Sequence, residues 1–236
     1  ALAADNGSIN ISFSEPVFNT TSGSGALEVS DFALSLTGGT ATLTSATPTA
    51  ITQSGNTYTL SFSLSGTPDG SEVISVAPLA NSIYDGSGNL ASTTQSNGSG
   101  TLFEKVKPVV FISAVNVSGD VVSSSTTTND GSLTFTFTIS EPSKDFNQND
   151  ISISGGTLTN FQSASEVKYT ATFTPSNYGA STLNVKADVF TDTLGNKNIA
   201  SEVFSWFFDN ASPIIGSVAL AADNGSINIS FSEPVF

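Results

Sequence analysis

Apolar and polar residues alternate with a period of two in short stretches along both halves of the chain, and no stretch holds the 3.6-residue period of an amphipathic helix of useful length. Ile9, Ile11 and Phe13 alternate with Ser8, Asn10 and Ser12, which predicts a half-buried strand over residues 8–14. Asp5-Asn6-Gly7 ahead of it is a hairpin turn, because Asn and Gly tolerate positive φ, so residues 1–4 read as the end of a preceding strand. Proline cannot donate to a ladder, and Ser14-Glu15-Pro16 closes the strand. Further strands are expected over residues 31–36, 41–43, 58–64, 72–76 and 100–106, with turns at Gly38-Gly39 and Pro68-Asp69-Gly70.

The second half replays this order with different letters. A strand over 109–117 leads to the Asn129-Asp130-Gly131 turn. Leu133, Phe135, Phe137 and Ile139 then alternate up to Ser140-Glu141-Pro142. Residues 150–154 match the earlier 31–36 stretch, and Val167, Tyr169, Ala171 and Phe173 match 58–64. Leu183 and Val185 lie on the next strand, and residues 204–208 form the last one. Asp192–Asn196 and Asp85–Asn89 share the pattern D-x-x-G-N between these last strands.

One identity sets the organisation. The segment ALAADNGSINISFSEPVF at 1–18 returns letter for letter at 219–236, an offset of 218 residues. Fixed-period self-similarity is the mark of a repeat array. The chain is therefore expected to hold one period of a tandem array and the opening of the next. Boundaries drawn at the linker prolines give domains at 1–107 and 108–212, with 213–236 as the first two strands of a further repeat. About seven short strands per half, spaced by turn signals, predict an all-β fold of two tandem Greek-key sandwiches of immunoglobulin (Ig) type. Ile227, Ile229 and Phe231 give the tail an apolar face that two strands cannot bury alone. The tail is thus expected to be either a window cut from a longer array or a donor strand that a neighbouring copy completes.

Charge and composition narrow the chemistry. The chain has 20 acidic residues against 6 basic ones, net −14, with no Cys and no His. Nucleic acid is excluded as a partner, since phosphates need a basic footprint. Without His, the Ser-His-Asp and Cys-His nucleophile systems and histidine zinc sites are excluded as well. The remaining carboxylates sit in turns that recur in both halves, whereas a catalytic pair would be unique, so no enzyme is expected. No apolar run approaches a membrane span, so this segment is not expected to insert into a membrane.

The second half, with NDGSLTFTFTISEP, NDISISGGTLTNF, YTATFTPS, FTDTLGNKN and FDNASP, resembles the bacterial Ig-like domains found in long tandem arrays of very large surface proteins and adhesins. The first half, with ISFSEPVF, LEVSDFALSLTGGTATL and NSIYDGSGNLASTTQSN, is similar to related repeats in surface proteins of gliding and biofilm-forming bacteria. The resemblance implies an extracellular rod on the bacterial cell surface that supports adhesion, with neighbouring repeats as its partners. A module gripping a glycan or a protein is the alternative.

Calcium is the candidate ligand. In a seven-strand Greek key, the loops after the second strand and before the last lie at the end where the linker enters. That end is expected to gather Glu15, Asp31, Asp85 and Asn89 in the first domain, and Glu141, Asp145, Asp150, Asp192 and Asn196 in the second. Glu104 on the linker would face the second set, and Asp209 would pair with Glu233, the copy of Glu15. Calcium takes six to eight oxygen ligands, and this set is rich in oxygen. The competing reading is that these acids only cap turns through local hydrogen bonds. The Asn-x-Ser/Thr triplets at Asn6, Asn19, Asn97, Asn116 and Asn210 are expected by chance in so Ser-rich a chain. Trp206, the sole tryptophan, is expected to pack in a core rather than serve as a sugar platform.

Overall fold

The computed structural model describes residues 1–94, 98–222 and 225–235. Two compact units divide the chain, Ala1–Val106 and Lys107–Phe236. Asn97 falls outside the described residues.

In the first unit the strands are β1 (Ser8–Ser12), β2 (Val17–Phe18), β3 (Phe32–Thr37), β4 (Thr42–Leu43), β5 (Ala50–Ser54), β6 (Thr57–Ser61), β7 (Leu64–Ser65), β8 (Val73–Pro78), β9 (Tyr84–Asp85) and β10 (Ser99–Thr101). They form two three-stranded sheets, ordered β1-β6-β5 and β10-β8-β3, with the short pairs β2–β9 and β4–β7 beside them. The alternation in β1 has its expected result. Ile9 sits opposite Leu60 of β6 and is 2 % exposed, while Asn10 faces solvent. Ile9, Tyr58 and Leu60 of one sheet meet Phe32, Leu34, Ile74 and Val76 of the other in a common core.

The second unit contains β11 (Val110–Val115), β12 (Val121–Val122), β13 (Thr126–Thr128), β14 (Leu133–Ile139), β15 (Ile151–Ser154), β16 (Gly156–Ser165), β17 (Lys168–Pro175), β18 (Gly179–Val185) and β19 (Phe204–Phe208). Its sheets run β12-β11-β14-β17-β16 and β13-β19-β18-β15, and β13 lies parallel to β19. Counting the seven main strands in chain order, the first, second, fifth and fourth share one sheet and the third, sixth and seventh the other. That is the arrangement of a constant-type Ig sandwich. Leu133, Phe135, Phe137 and Ile139 all point inward from β14 and are buried against Phe173, Leu183 and Phe204. The chain is all-β, with Ig-like sandwiches.

Two strands carry no clear sequence pattern. Of the ten residues in β16 only Leu158 is buried, and β5 has no buried residue. Each is an edge strand whose side chains mostly meet water, unlike the edge strands β1 and β3, whose inner faces are buried and keep the alternation. In β16 the register slips between Thr159 and Gln162, where Asn160 adopts φ 52°, a bulge that blunts the exposed edge. The strand expected over 100–106 stops at Thr101. Beyond it, Leu102 N–H donates to the Glu72 carbonyl and Lys105 N–H to the Pro68 carbonyl, so loop contacts replace a ladder.

The remaining strands, β20 (Ile215–Leu220) and β21 (Ile227–Phe231), form an antiparallel hairpin. Every residue in both is exposed.

Candidate functional site

The D-x-x-G-N loops show how the acids are used. Asp192 Oδ1 accepts the Leu194 N–H at 2.7 Å and the Asn196 N–H at 2.9 Å, and Oδ2 accepts the Asn196 side-chain amide at 2.8 Å. Asp85 does the same with Ser87 N–H, Asn89 N–H and the Asn89 amide, at 2.8, 2.8 and 2.7 Å. The loop folds around its own carboxylate, because Asp is short enough to reach the amides two and four residues on. Burial pushes the Asp192 carboxyl up, but these donors outweigh it and hold its pKa below the usual value. Asp85 is also lowered, with the Asn89 side chain the largest cause.

The neighbouring acids are engaged in similar ways. Asp145 accepts from Thr191 N–H at 3.0 Å and Thr191 Oγ1 at 2.9 Å, tying the loop after β14 to the loop before β19. Buried Ser143 braces the same knot, its Oγ 2.9 Å from Asp145 Oδ1 and 2.7 Å from the Thr191 carbonyl. Burial would raise Asp145, yet the Thr191 and Ser143 bonds leave it lowered. Asp31 and Asp150 each close a single 3-10 turn by accepting the N–H three residues back, from Glu28 at 2.7 Å and Asn147 at 2.8 Å. Asp150 is raised, first by burial and then by the charge of Asp145, against the Asn147 N–H.

Two expected groupings are present within units. Carboxylate oxygens of Glu141 and Asp192 lie within 4.8 Å of each other. Glu15, Asp85 and Asn89 border one hollow of about 470 Å³. The remaining acids have local roles. Glu104 accepts the N–H of Val106, and Asp209 accepts the Ala211 N–H at 3.0 Å. Among the described residues, one Glu233 carboxylate oxygen is shielded from solvent and has no hydrogen-bond partner.

Beside the buried Ser143 and Ser181, three more polar residues turn inward where the sequence reading did not place them. Glu72 is fully buried, and its carboxylate accepts N–H groups of Thr40 (3.0 Å), Ala41 (2.9 Å), Asp69 (3.1 Å) and Gly70 (3.2 Å). It packs so closely on the Gly38-Gly39 turn that a Cβ on Gly39 would stand 2.2 Å from Glu72 Cδ. Asn198 accepts from Val189 and Phe190 N–H and donates to the Lys186 and Ile199 carbonyls, holding the Asp192 loop from beneath. Asn6 adopts φ 59° and clamps Phe103 through both its N–H and its carbonyl, at 2.9 and 2.7 Å. Its burial leaves no room for a glycan. Only the Gly-Gly pair near Glu72 offered a signal; nothing in the letters marks Asn6 or Asn198 as inward-facing.

Trp206 lies in the core of the second unit, with ring centroids 4.7 Å from Phe173 and 5.4 Å from Phe135. It presents no face to a sugar, and its indole N–H has no hydrogen-bond partner among the described residues.

With this geometry in hand, residues 114–206 match a family model described as bacterial Ig-like domain. The match lies within the second unit, from late β11 to mid β19, and supports an Ig-like assignment for it. Domains of that family occur in extracellular bacterial proteins and are typically non-catalytic. No curated protein matches the chain. Among the described residues, no helix is long and apolar enough to cross a membrane.

Proposed function

We propose that the chain is a non-catalytic structural segment of a long extracellular surface protein of a bacterium, a stiff spacer that carries an adhesive or attachment element away from the cell. The observation that carries this reading is the return of residues 1–18 at 219–236, which makes the Ig-like units serial parts. Short Pro-containing linkers restrict inter-domain freedom. Small-angle scattering of chains of one, two and three periods tests it. A maximum dimension that grows in proportion to period number supports a spacer, and a compact or strongly sublinear series rejects it.

Calcium belongs to the same proposal, at the Glu141–Asp192 pair. The Asp192 loop already orients its carboxylate, and two carboxylates so close repel one another unless a cation joins them. A rise of several degrees in melting temperature with millimolar calcium over excess chelator is expected, lost in Glu141→Ala and Asp192→Ala. No difference between calcium and chelator would leave these acids as turn caps.

A binding module is the second reading. It is favoured by a hollow of about 440 Å³ in the second unit, bordered by the exposed Phe111, Val121 and Val203. A glycan or protein ligand held there would be lost on Phe111→Ser with the fold unchanged.

A further inference from the structure

The second unit ties the start of its chain to its end. The sandwich begins at Lys107 and its last strand ends at Phe208. Within it β13 lies parallel to β19, with Thr126, Thr127 and Thr128 beside Trp206, Phe207 and Phe208. The contact runs past both strand ends. Ser125 N–H donates to the Ser205 carbonyl at 2.6 Å, Ser205 N–H to Ser124 Oγ at 3.0 Å, and Asp209 N–H to the Thr128 carbonyl at 3.0 Å. All the strands from β14 to β18 lie between these two in the chain, so the sandwich cannot open from end to end until β13 and β19 part.

Direction decides how that pair carries load. Tension along the chain draws β13 towards its own N-terminal end and β19 towards its C-terminal end. In a parallel pair those pulls are opposed along one line, so the strands are sheared and their hydrogen bonds strain together. Strands of a hairpin drawn apart from their open end lose their pairs one at a time instead. Ahead of β13, β11 is antiparallel to β14. Its release frees only residues 109–125, roughly 60 Å of extended chain, and leaves β13 seated.

We propose that β13 and β19 form a shear lock, which holds the second unit closed when the chain is pulled from its two ends. The use of such a lock rests on the spacer reading, because only a chain under tension needs one. Its geometry does not, so a scattering series that rejected the spacer would leave the force measurement standing. The register picks out the residues that carry the load. Thr128 turns its carbonyl to β19, so its N–H faces β19 too, and the main-chain groups of Thr127 face away, because they alternate sides along a strand.

The test is single-molecule force spectroscopy on the full chain with cysteines as handle points, the chain having none of its own. Handles at Lys107→Cys and Asn210→Cys pull the second unit lengthwise. Handles at Thr157→Cys and Thr174→Cys, a facing pair of β16 and β17, pull it crosswise from the open end of that hairpin. The lengthwise unfolding force is expected at about twice the crosswise one or higher, since forced unfolding follows the barrier and not the equilibrium stability. Thr128→Pro should lower the lengthwise force towards the crosswise value. Thr127→Pro and Thr128→Val keep the N–H groups that face β19 and should leave it near that of the unaltered chain. The crosswise force should stay in place in all three. Equal forces in the two directions would overturn the lock, and so would a Thr127→Pro chain weakened as much as Thr128→Pro. Should Thr128→Pro fail to fold, the two directions in the unaltered ladder still decide.

Discussion

The same eighteen residues stand in two settings in this molecule. In the first, Ile9 is 2 % exposed in the core of a sandwich; in the second, its copy Ile227 is 60 % exposed on a bare hairpin. Yet both copies form a strand, Ser8–Ser12 in one and Ile227–Phe231 in the other. Strand formation is therefore written locally, in the period-2 alternation. Burial is not, because it depends on β6 lying some fifty residues further along. The comparison separates what a segment prefers from what its partner supplies.

The sharpest break of that comparison is one substitution made in each copy. Ile9→Ala should cost the first unit about 2–5 kcal/mol, the usual range for emptying a large aliphatic side chain from a core. Ile227→Ala should stay within about 0.5 kcal/mol, as surface changes do. Urea unfolding read by two probes distinguishes the units, because Trp206 reports only the second while far-UV circular dichroism reports both. Equal costs at the two sites would mean that the two settings do not differ as described.

Weakening the first unit away from the repeated segment gives the next effect. Glu72→Ala removes the acceptor for four backbone N–H groups around the Gly38-Gly39 turn. A buried donor left unsatisfied costs about 1–3 kcal/mol, so the first unit should lose about 2–3 kcal/mol while the Trp206 transition stays in place. Burial raises the Glu72 pKa, but the N–H groups of Ala41, Asp69 and Thr40 bring it below the ordinary value. A lowered folded pKa gives stability that is present above the unfolded pKa of about 4.3 and lost as pH falls through the folded value. The first unit should thus weaken as pH falls below the unfolded pKa of about 4.3, and Glu72→Gln should make that loss shallower. In the second unit the lowered Asp145 and Asp192 act in the same sense. The raised Asp150 acts the opposite way, contributing below its unfolded pKa, so it offsets part of the acid loss there.

How far the letters reached follows from the same separation. Strands with one face in a core, such as β1, β6, β14 and β17, announce themselves because burial enforces alternation. The edge strands β5 and β16 do not, since water meets most of their side chains and any polar sequence serves. At the candidate site, the D-x-x-G-N loops were legible because their contacts are local, two to four residues apart. Glu72, Asn198 and Asn6 reach across loops by up to 97 residues, and a distance in space leaves no spacing in the sequence.

Asn6 gives the smallest effect and the finest cut, because it lies inside the repeated segment and does two jobs. It holds a left-handed backbone at φ 59° in the turn before β1, and its side chain clamps Phe103 after the last strand of the first unit. Glycine takes that backbone without strain, so Asn6→Gly removes the clamp alone. Two hydrogen bonds at about 0.5–1.5 kcal/mol each put the loss at about 1–3 kcal/mol. Asn6→Ala removes the clamp and also pays the left-handed penalty of roughly 1–2 kcal/mol for a residue with a Cβ. If the clamp matters, Asn6→Gly destabilises the first unit and Asn6→Ala does so further, with Trp206 fluorescence unmoved in both. If Asn6→Gly matches the wild type while Asn6→Ala falls, the residue is only a turn former. In that case the first copy is held by β6 and its core alone, and its tie to the far end of the unit contributes nothing.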